Sequence, residues 1–553
     1  MKWFGITHFC MGYVLLTMLW IISPKQACAI AALRDSLIDV LHYAFHLQLD
    51  SASDEIKGEA QIRFVVRKAN IASCRFDFDI ANAVDSTGMQ VDKIIYHHQS
   101  IAYTSGKAYI ELHFPHPLPL LDTEEVIIRY HGRPSDGLII GKNLFGDRTY
   151  FGDNWPTRAH DWLPVVDHPS DKATVDFFVQ APCYDQVIAN GKLIERTNLL
   201  NGYTLTHWQE SYPIPTKVMV IGVAPFAVQY LAEVNHVPVE SWVYPQNKSE
   251  GFTDFGVAPA IIAYFDSLLG TFPYEKLANV QSTTRYGGME NASCIFYDEH
   301  IITGKQQNTL ILAHEIGHQW FGDCVTETDW PHIWLSEGFA TFMSEVFAEH
   351  AFGRDSLLHI LTHDRRLILH YDSLHHTPVI NYQAQKPEQL LNPDSYQKGA
   401  YVLQMLKDLI GDSLFWKGMR NYVQHYRHQN ASTEDFIHIM EQVSHRSLDT
   451  FFHQWLYRPE NPLIQWNWQY DVRQQKIVLF MQQLQNGEAF HLPLEIQVRD
   501  TTGQMHKYSV YLQQKQQTIA LPCPFRPVKL LLDPEGKILM QQIVQTPDVK
   551  NEQ

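Results

Sequence analysis

The chain has 553 residues, of which 45% are hydrophobic and 19% charged, with 28 prolines and 29 glycines. That is a globular composition, and the length predicts roughly three or four domains rather than one core. The 60 acidic against 43 basic side chains give a net charge of −17, which excludes non-specific nucleic-acid binding and disfavours docking on an anionic lipid surface.

Residues 1–29 predict a secretory signal peptide. Lys2 precedes an apolar run from Phe9 to Ile22, followed by Pro24 and by Ala27-Cys28-Ala29, which places small residues where a signal peptidase requires them for a cut after Ala29. On this reading the protein is exported, to a periplasm or an extracellular space, and keeps no membrane span after cleavage. The alternative is a membrane anchor, because Trp3 to Ile22 is long enough to span a bilayer. No later segment is expected to cross a membrane. Beyond Ala29 lie Cys74, Cys183, Cys294, Cys324 and Cys523. Their odd number and irregular spacing predict buried free thiols, neither a disulfide framework nor a cysteine metal site.

From 30 to 225 the hydrophobic pattern has period two. Tyr43, Phe45, Leu47 and Leu49 alternate with polar residues, Ala60, Ile62 and Phe64 repeat this after an expected turn at Gly58, and Val126 to Ile128 make a further strand. An antiparallel β domain is expected there. Over 226–458 the period becomes helical, with helices expected at Thr309 to Phe321, Leu335 to Phe352, Tyr396 to Ile410 and Glu434 to Val443, the last opened by a capping box of Ser432 and Asp435. Over 459–545 alternation returns at Trp466, Trp468 and Tyr470, at Leu492 to Val498 and at Val528 to Leu532, which predicts a β-sandwich. Residues 546–553 are polar and are expected to form a frayed tail. The fold class is multidomain α+β.

The chemistry concentrates in Leu310-Ile-Leu-Ala-His314-Glu315-Ile-Gly-His318-Gln-Trp-Phe321. Histidines four apart on a helix share a face, so His314 and His318 can reach one ion. Zinc suits imidazole plus an oxygen ligand and, in catalytic sites, leaves a fourth position for water. With eighteen residues between it and His318, Glu337 of the segment Trp334-Leu-Ser-Glu337-Gly338 is offered as third ligand. Glu315 is expected beside the metal as general base, taking the water proton and passing it to the leaving amine.

Just upstream stands Tyr286-Gly287-Gly288-Met289-Glu290-Asn291. The two glycines would let a substrate backbone approach closely, and the extended segment after them could pair with it as an added strand. Glu290 would bind a free α-ammonium by a charge-assisted hydrogen bond. A carboxylate closing the cleft makes an exopeptidase that acts from the amino terminus; an endopeptidase would lack it.

These residues resemble the zinc aminopeptidases of the aminopeptidase N and leukotriene hydrolase type. The likeness rests on Gly287 to Asn291, His314 to Gly322 and Trp334 to Gly338, and extends to Tyr396-Gln397-Lys398-Gly399-Ala400 and Phe451 to Tyr457. It implies an N-terminal β saddle, a thermolysin-like catalytic domain and a C-terminal β-sandwich. It also implies one Zn2+ per chain, peptide substrates with a free amino terminus, and Tyr396 as the phenol that stabilises the oxyanion.

Departures from the family pattern are also legible. Gln397 replaces the usual glutamate after the tyrosine and is expected to alter only local packing. Ser344 stands where many relatives carry a carboxylate that orients a zinc histidine, so Glu345 or another residue would take that task. A residue of the Gly152-Asp153-Asn154-Trp155 stretch, with Asp153 as candidate, would replace the relatives' amide or carboxylate at the amino-end pocket. Many relatives continue into a large helical domain over the site; here none is expected, which predicts a more open cleft unless another subunit covers it. Oligomeric state and preferred amino-terminal residue are not encoded in these motifs. The competing reading, a non-catalytic relative serving as a binding or scaffold module, predicts lost ligands or a lost base, yet His314, Glu315, His318 and Glu337 are all present.

Overall fold

Alternating apolar residues build the first layer. A computed structural model describes residues 37–81 and 87–544; the signal segment 1–29 and the tail 546–553 lie outside these. Strand Ile38–Leu49 buries Tyr43, Phe45, Leu47 and Leu49, after a bulge between Val40 and His42 restores the inward phase. It pairs antiparallel with Ile56–Val66 and parallel with Lys172–Pro182 at the centre of an eight-stranded sheet. Gly58 is not a turn. It lies inside the strand Ile56–Val66, where the Tyr130 ring occupies the space a side chain would need: a Cβ would sit 2.2 Å from Tyr130 Cζ. Sheets of three and four strands complete this β-rich region.

The expected switch to helical structure at 226 comes later. Residues 227–298 form a mixed five-stranded sheet, ordered Ala227–Val234, Val237–Val243, Leu277–Ser282, Cys294–Asp298 and Gly288–Met289, with helices Lys248–Phe255 and Ala258–Leu269 inserted. Periodicity hid it because Leu277–Ser282 is buried along its whole length and therefore does not alternate. The run Pro245–Leu269 is, against expectation, long and apolar enough to cross a membrane, yet Phe255, Ile261, Ile262, Phe265 and Leu269 pack into the protein core.

Helices follow: Thr309–His318, Trp334–Phe352, Arg354–His375, Gly399–Ile410, Asp412–His425 and Thr433–Ser444. The last opens on the expected capping box, Ser432 Oγ accepting from the Asp435 amide while the Asp435 carboxylate accepts from the Ser432 amide. Beyond Pro462 the chain returns to strands, in sheets of four and three. The order is thus a β-rich region, a helical region and C-terminal strands. Cys294, Cys324 and Cys523 are buried free thiols and Cys74 is buried as expected, whereas Cys183 is free but exposed.

Two lysines of the β-rich region, Lys172 half-buried and Lys217 buried, fix the segment that follows the histidine helix. Lys172 Nζ donates to the carbonyls of Asp323 and Cys324, both at 2.9 Å. Lys217 Nζ pairs with Glu327 at 2.6 Å.

Candidate active site

Helix Thr309–His318 presents His314 and His318 one turn apart, their Nε2 atoms 3.1 Å from each other. The chain then turns at Gly322, whose φ of 113° suits glycine and whose absent Cβ leaves room for Ser336 Oγ, 2.2 Å from where it would lie. This turn brings the Phe321 carbonyl to His318 Nδ1 at 3.1 Å, and Ser336 Oγ approaches the same nitrogen at 3.1 Å. With Nδ1–H donating to these oxygens, Nε2 is left as a lone-pair donor.

Glu337, in the first turn of helix Trp334–Phe352, faces both rings: Oε2 lies 3.5 Å from His314 Nε2 and 3.2 Å from His318 Nε2. Donors about 2.0–2.1 Å from a tetrahedral ion stand roughly 3.3–3.4 Å apart, so the three atoms fit one metal. The charges agree. Burial tends to raise Glu337, but His318 and His314 hold it well below its ordinary value. Burial would lower His318, yet Glu337, Glu290 and Glu315 raise it to about 10. Burial pushes Glu315 up to about 8, with His318 opposing and Glu290 and Glu337 adding to the rise. Three carboxyl groups thus crowd the His318 ring, an acidic cluster that a divalent cation at Nε2 would relieve. Glu290, Glu315 and His318 also bring ligand atoms within 4.8 Å of one another; the His314, His318 and Glu337 set offers two nitrogens and leaves Glu315 free.

The edge strand Gly288–Met289 runs along this cluster, antiparallel to Cys294–Asp298. Its glycines do different work. A Cβ on Gly288 would lie 2.4 Å from Glu315 Oε1, so this glycine makes room for Glu315 rather than for substrate; a Cβ on Gly287 would meet only Ile311 Cδ1, at 3.9 Å. Met289 is buried, and Glu290 follows with 5% exposure. Burial raises the Glu290 carboxyl, against the pull of His318, and among the described residues its Oε1 has no hydrogen-bond partner. Gln319, in the turn after His318, clamps this segment: Nε2 donates to the Glu290 carbonyl at 2.8 Å, and Oε1 accepts from the Ser293 amide at 2.7 Å.

Tyr396 does not begin a regular helix. It lies in a π-helical turn, Asp394–Lys398, ahead of helix Gly399–Ile410, a distortion that often marks functional positions. The turn packs against the Glu337 helix backbone to backbone, since a Cβ on Gly338 would sit 2.9 Å from the Ser395 carbonyl oxygen and 3.0 Å from Gly399 Cα. That contact holds the Tyr396 ring parallel to His314, centroids 6.0 Å apart. Burial, with Glu337, Glu290 and Glu315 nearby, pushes its phenol well above the ordinary value, so it remains a donor at neutral pH. Behind the turn, buried Lys398 is held by Asp372 at 3.1 Å and Asp394 at 3.6 Å.

A cavity of about 480 Å³ joins these groups. Gln397 lines it, so this departure is not confined to local packing. Asp153 is not at the site: it is fully buried, paired with Arg158, and accepts from the Arg285 amide at 3.3 Å, while Trp155 of the same stretch lines the cavity. Neither Ser344 nor Glu345 orients a histidine. Ser344 Oγ donates to the Thr341 carbonyl at 2.8 Å, and Glu345 is buried against Asp364; Ser336 and the Phe321 carbonyl meet His318 instead. Sequence reasoning missed Leu310, Ile311 and Thr341 in the lining, although helical spacing contained them: they lie three or four residues from His314 and Glu337. Tyr286 and Leu391 carried no such signal.

Comparison with known proteins identifies the family. Residues 40–218 match the Peptidase M1 N-terminal domain and residues 255–455 the Peptidase family M1 domain. Glutamyl aminopeptidase of Bitis rhinoceros is 28% identical over 344 residues, 59% of this chain and 36% of the relative. Probable aminopeptidase 2 of Sulfurisphaera tokodaii is 27% identical over 398 residues, 68% of this chain and 49% of the relative. Aminopeptidase M1-D of Oryza sativa subsp. japonica is 26% identical over 465 residues, 75% of this chain and 52% of the relative. The chain spans between about a third and a half of the length of these curated relatives. With both its β-rich region and its helical region matched to domains of one family, the chain belongs to peptidase family M1.

Proposed function

We propose that the chain is a zinc aminopeptidase that removes single residues from the amino termini of peptides. The observation that carries this reading is Glu290: a buried carboxylate with an unpartnered oxygen, in a cavity shared with Glu315 and the His314, His318 and Glu337 donors. A free α-ammonium supplies the missing partner and fixes the register, so the bond that reaches Glu315 is the first peptide bond.

His314, His318 and Glu337 would hold a zinc ion, which when bound would supply Lewis acidity toward a water and the scissile carbonyl. Glu315 accepts the proton of the attacking water and returns it to the departing amine. Tyr396 donates its phenol hydrogen to the oxyanion. The edge Gly288–Met289 pairs with the substrate backbone as an added strand. The division into domains at 30–225, 226–458 and 459–545, the last a β-sandwich, and export through cleavage after Ala29 belong to the same proposal.

The test compares an aminoacyl fluorogenic substrate with its N-acetylated form, with and without a zinc chelator. Hydrolysis of the free amine alone, lost on chelation and restored by zinc, is expected. Equal hydrolysis of the acetylated form overturns the exopeptidase reading, and hydrolysis of neither form overturns catalysis.

A further inference from the structure

The charges and walls of the cavity point to a substrate class. Resting on the aminopeptidase reading, we infer that the enzyme takes uncharged, mainly apolar amino-terminal residues and discriminates against aspartate and glutamate. The ionisable carboxyls that line the cavity, Glu290, Glu315 and Glu337, are all acidic and all buried. Away from them the apolar walls are Trp155, Tyr286, Leu310, Ile311 and Leu391, and Thr341, Ser344 and Gln397 are the neutral polar groups.

Cations do stand near this wall, but each is committed elsewhere. Arg158 lies 6.0 Å from the Tyr286 ring centroid and pairs with fully buried Asp153. Arg285 pairs with Asp136 through two hydrogen bonds, at 3.0 and 2.5 Å. Lys217 pairs with Glu327 at 2.6 Å. A glutamate side chain against this wall would lose its hydration and gain no counter-ion from Arg158, Arg285 or Lys217. A leucine, methionine or phenylalanine side chain would trade water for apolar wall. Discrimination of this kind is strong because an uncompensated desolvation works against the acid while the apolar residue gains.

The experiment measures kcat/KM for leucyl, glutaminyl and glutamyl substrates with one leaving group. Glutamine has the shape of glutamate without its charge, so their ratio isolates charge. Leucine should exceed glutamine, and glutamine should exceed glutamate at least tenfold. Replacing Leu391 by Arg should narrow the glutamine-to-glutamate ratio by about tenfold. Glutamate hydrolysed as well as glutamine by the unaltered protein overturns the inference while leaving the aminopeptidase reading intact. Failure to hydrolyse any of the three overturns that reading instead.

Discussion

Gly288 and Glu315 are complementary in space: the carboxylate of Glu315 fills the volume that a side chain on Gly288 would take, 2.4 Å from its missing Cβ. A methyl group there displaces the end of a flexible side chain rather than backbone, so Gly288→Ala should fold with little loss of stability. It should nonetheless move the general base and lower kcat by about a hundredfold, the lower part of the range for lost acid–base catalysis. Zinc content should be unchanged, since Glu315 is not a ligand in this arrangement. Retained turnover would separate Glu315 from the proton transfer. Gly287→Ala meets only Ile311 at 3.9 Å and should raise KM, with kcat nearly intact.

Gln319 ties the Glu290 segment to the end of the histidine helix. It bonds the Glu290 carbonyl, the Ser293 amide and, from Nε2 at 3.0 Å, the Asp323 carboxylate. Gln319→Met keeps the volume and strands those buried groups, at a cost of roughly 1–3 kcal/mol each. The melting temperature should fall, and in the folded variant KM for a leucyl substrate should rise more than kcat falls, because Glu290 loses its register. A fall in kcat at constant KM would show that the clamp serves the histidines instead.

Ser336 approaches the His318 nitrogen that faces away from the metal position. Partners of this kind orient a ligand ring, and their loss typically costs 10–100-fold in metal affinity. The Phe321 carbonyl remains as an acceptor, so Ser336→Ala should weaken zinc affinity by about tenfold, the low end of that range. Competition with a chromophoric chelator measures this directly; unchanged affinity would mean the carbonyl alone orients the ring.

What the sequence made legible was set by chemistry that repeats locally. The His314 and His318 spacing, the Ser432 capping box and the alternating strands follow from neighbours a few residues apart. What it concealed depends on contacts between distant segments. The fully buried strand Leu277–Ser282 has no alternation to read. The π-helical turn at Tyr396 depends on a glycine-to-glycine approach between positions 338 and 399. Asp153 was misplaced because the cavity-facing residue of its stretch is Trp155, two positions on, while Arg158 neutralises the aspartate in the interior.

Glu345, passed over as a partner for the zinc histidines, gives a prediction of its own. It is 1% exposed and lies against Asp364, which also meets His363 at 3.0 Å; Tyr401 is nearby. Burial first, and then Asp364, push the Glu345 carboxyl well above its ordinary 4.5, and burial also raises Asp364. The folded protein therefore holds a proton here that the unfolded chain releases. The stability this provides is fully present below the unfolded value near 4.5 and is lost as pH rises through the raised folded value. Glu345→Gln replaces that proton with a permanent amide donor to Asp364. The variant should melt close to the unaltered protein at pH 5 and above it at pH 8, the gap widening with pH. Melting curves of both proteins from pH 5 to pH 9 decide the matter: parallel pH dependences would show that the two carboxyls do not share a proton.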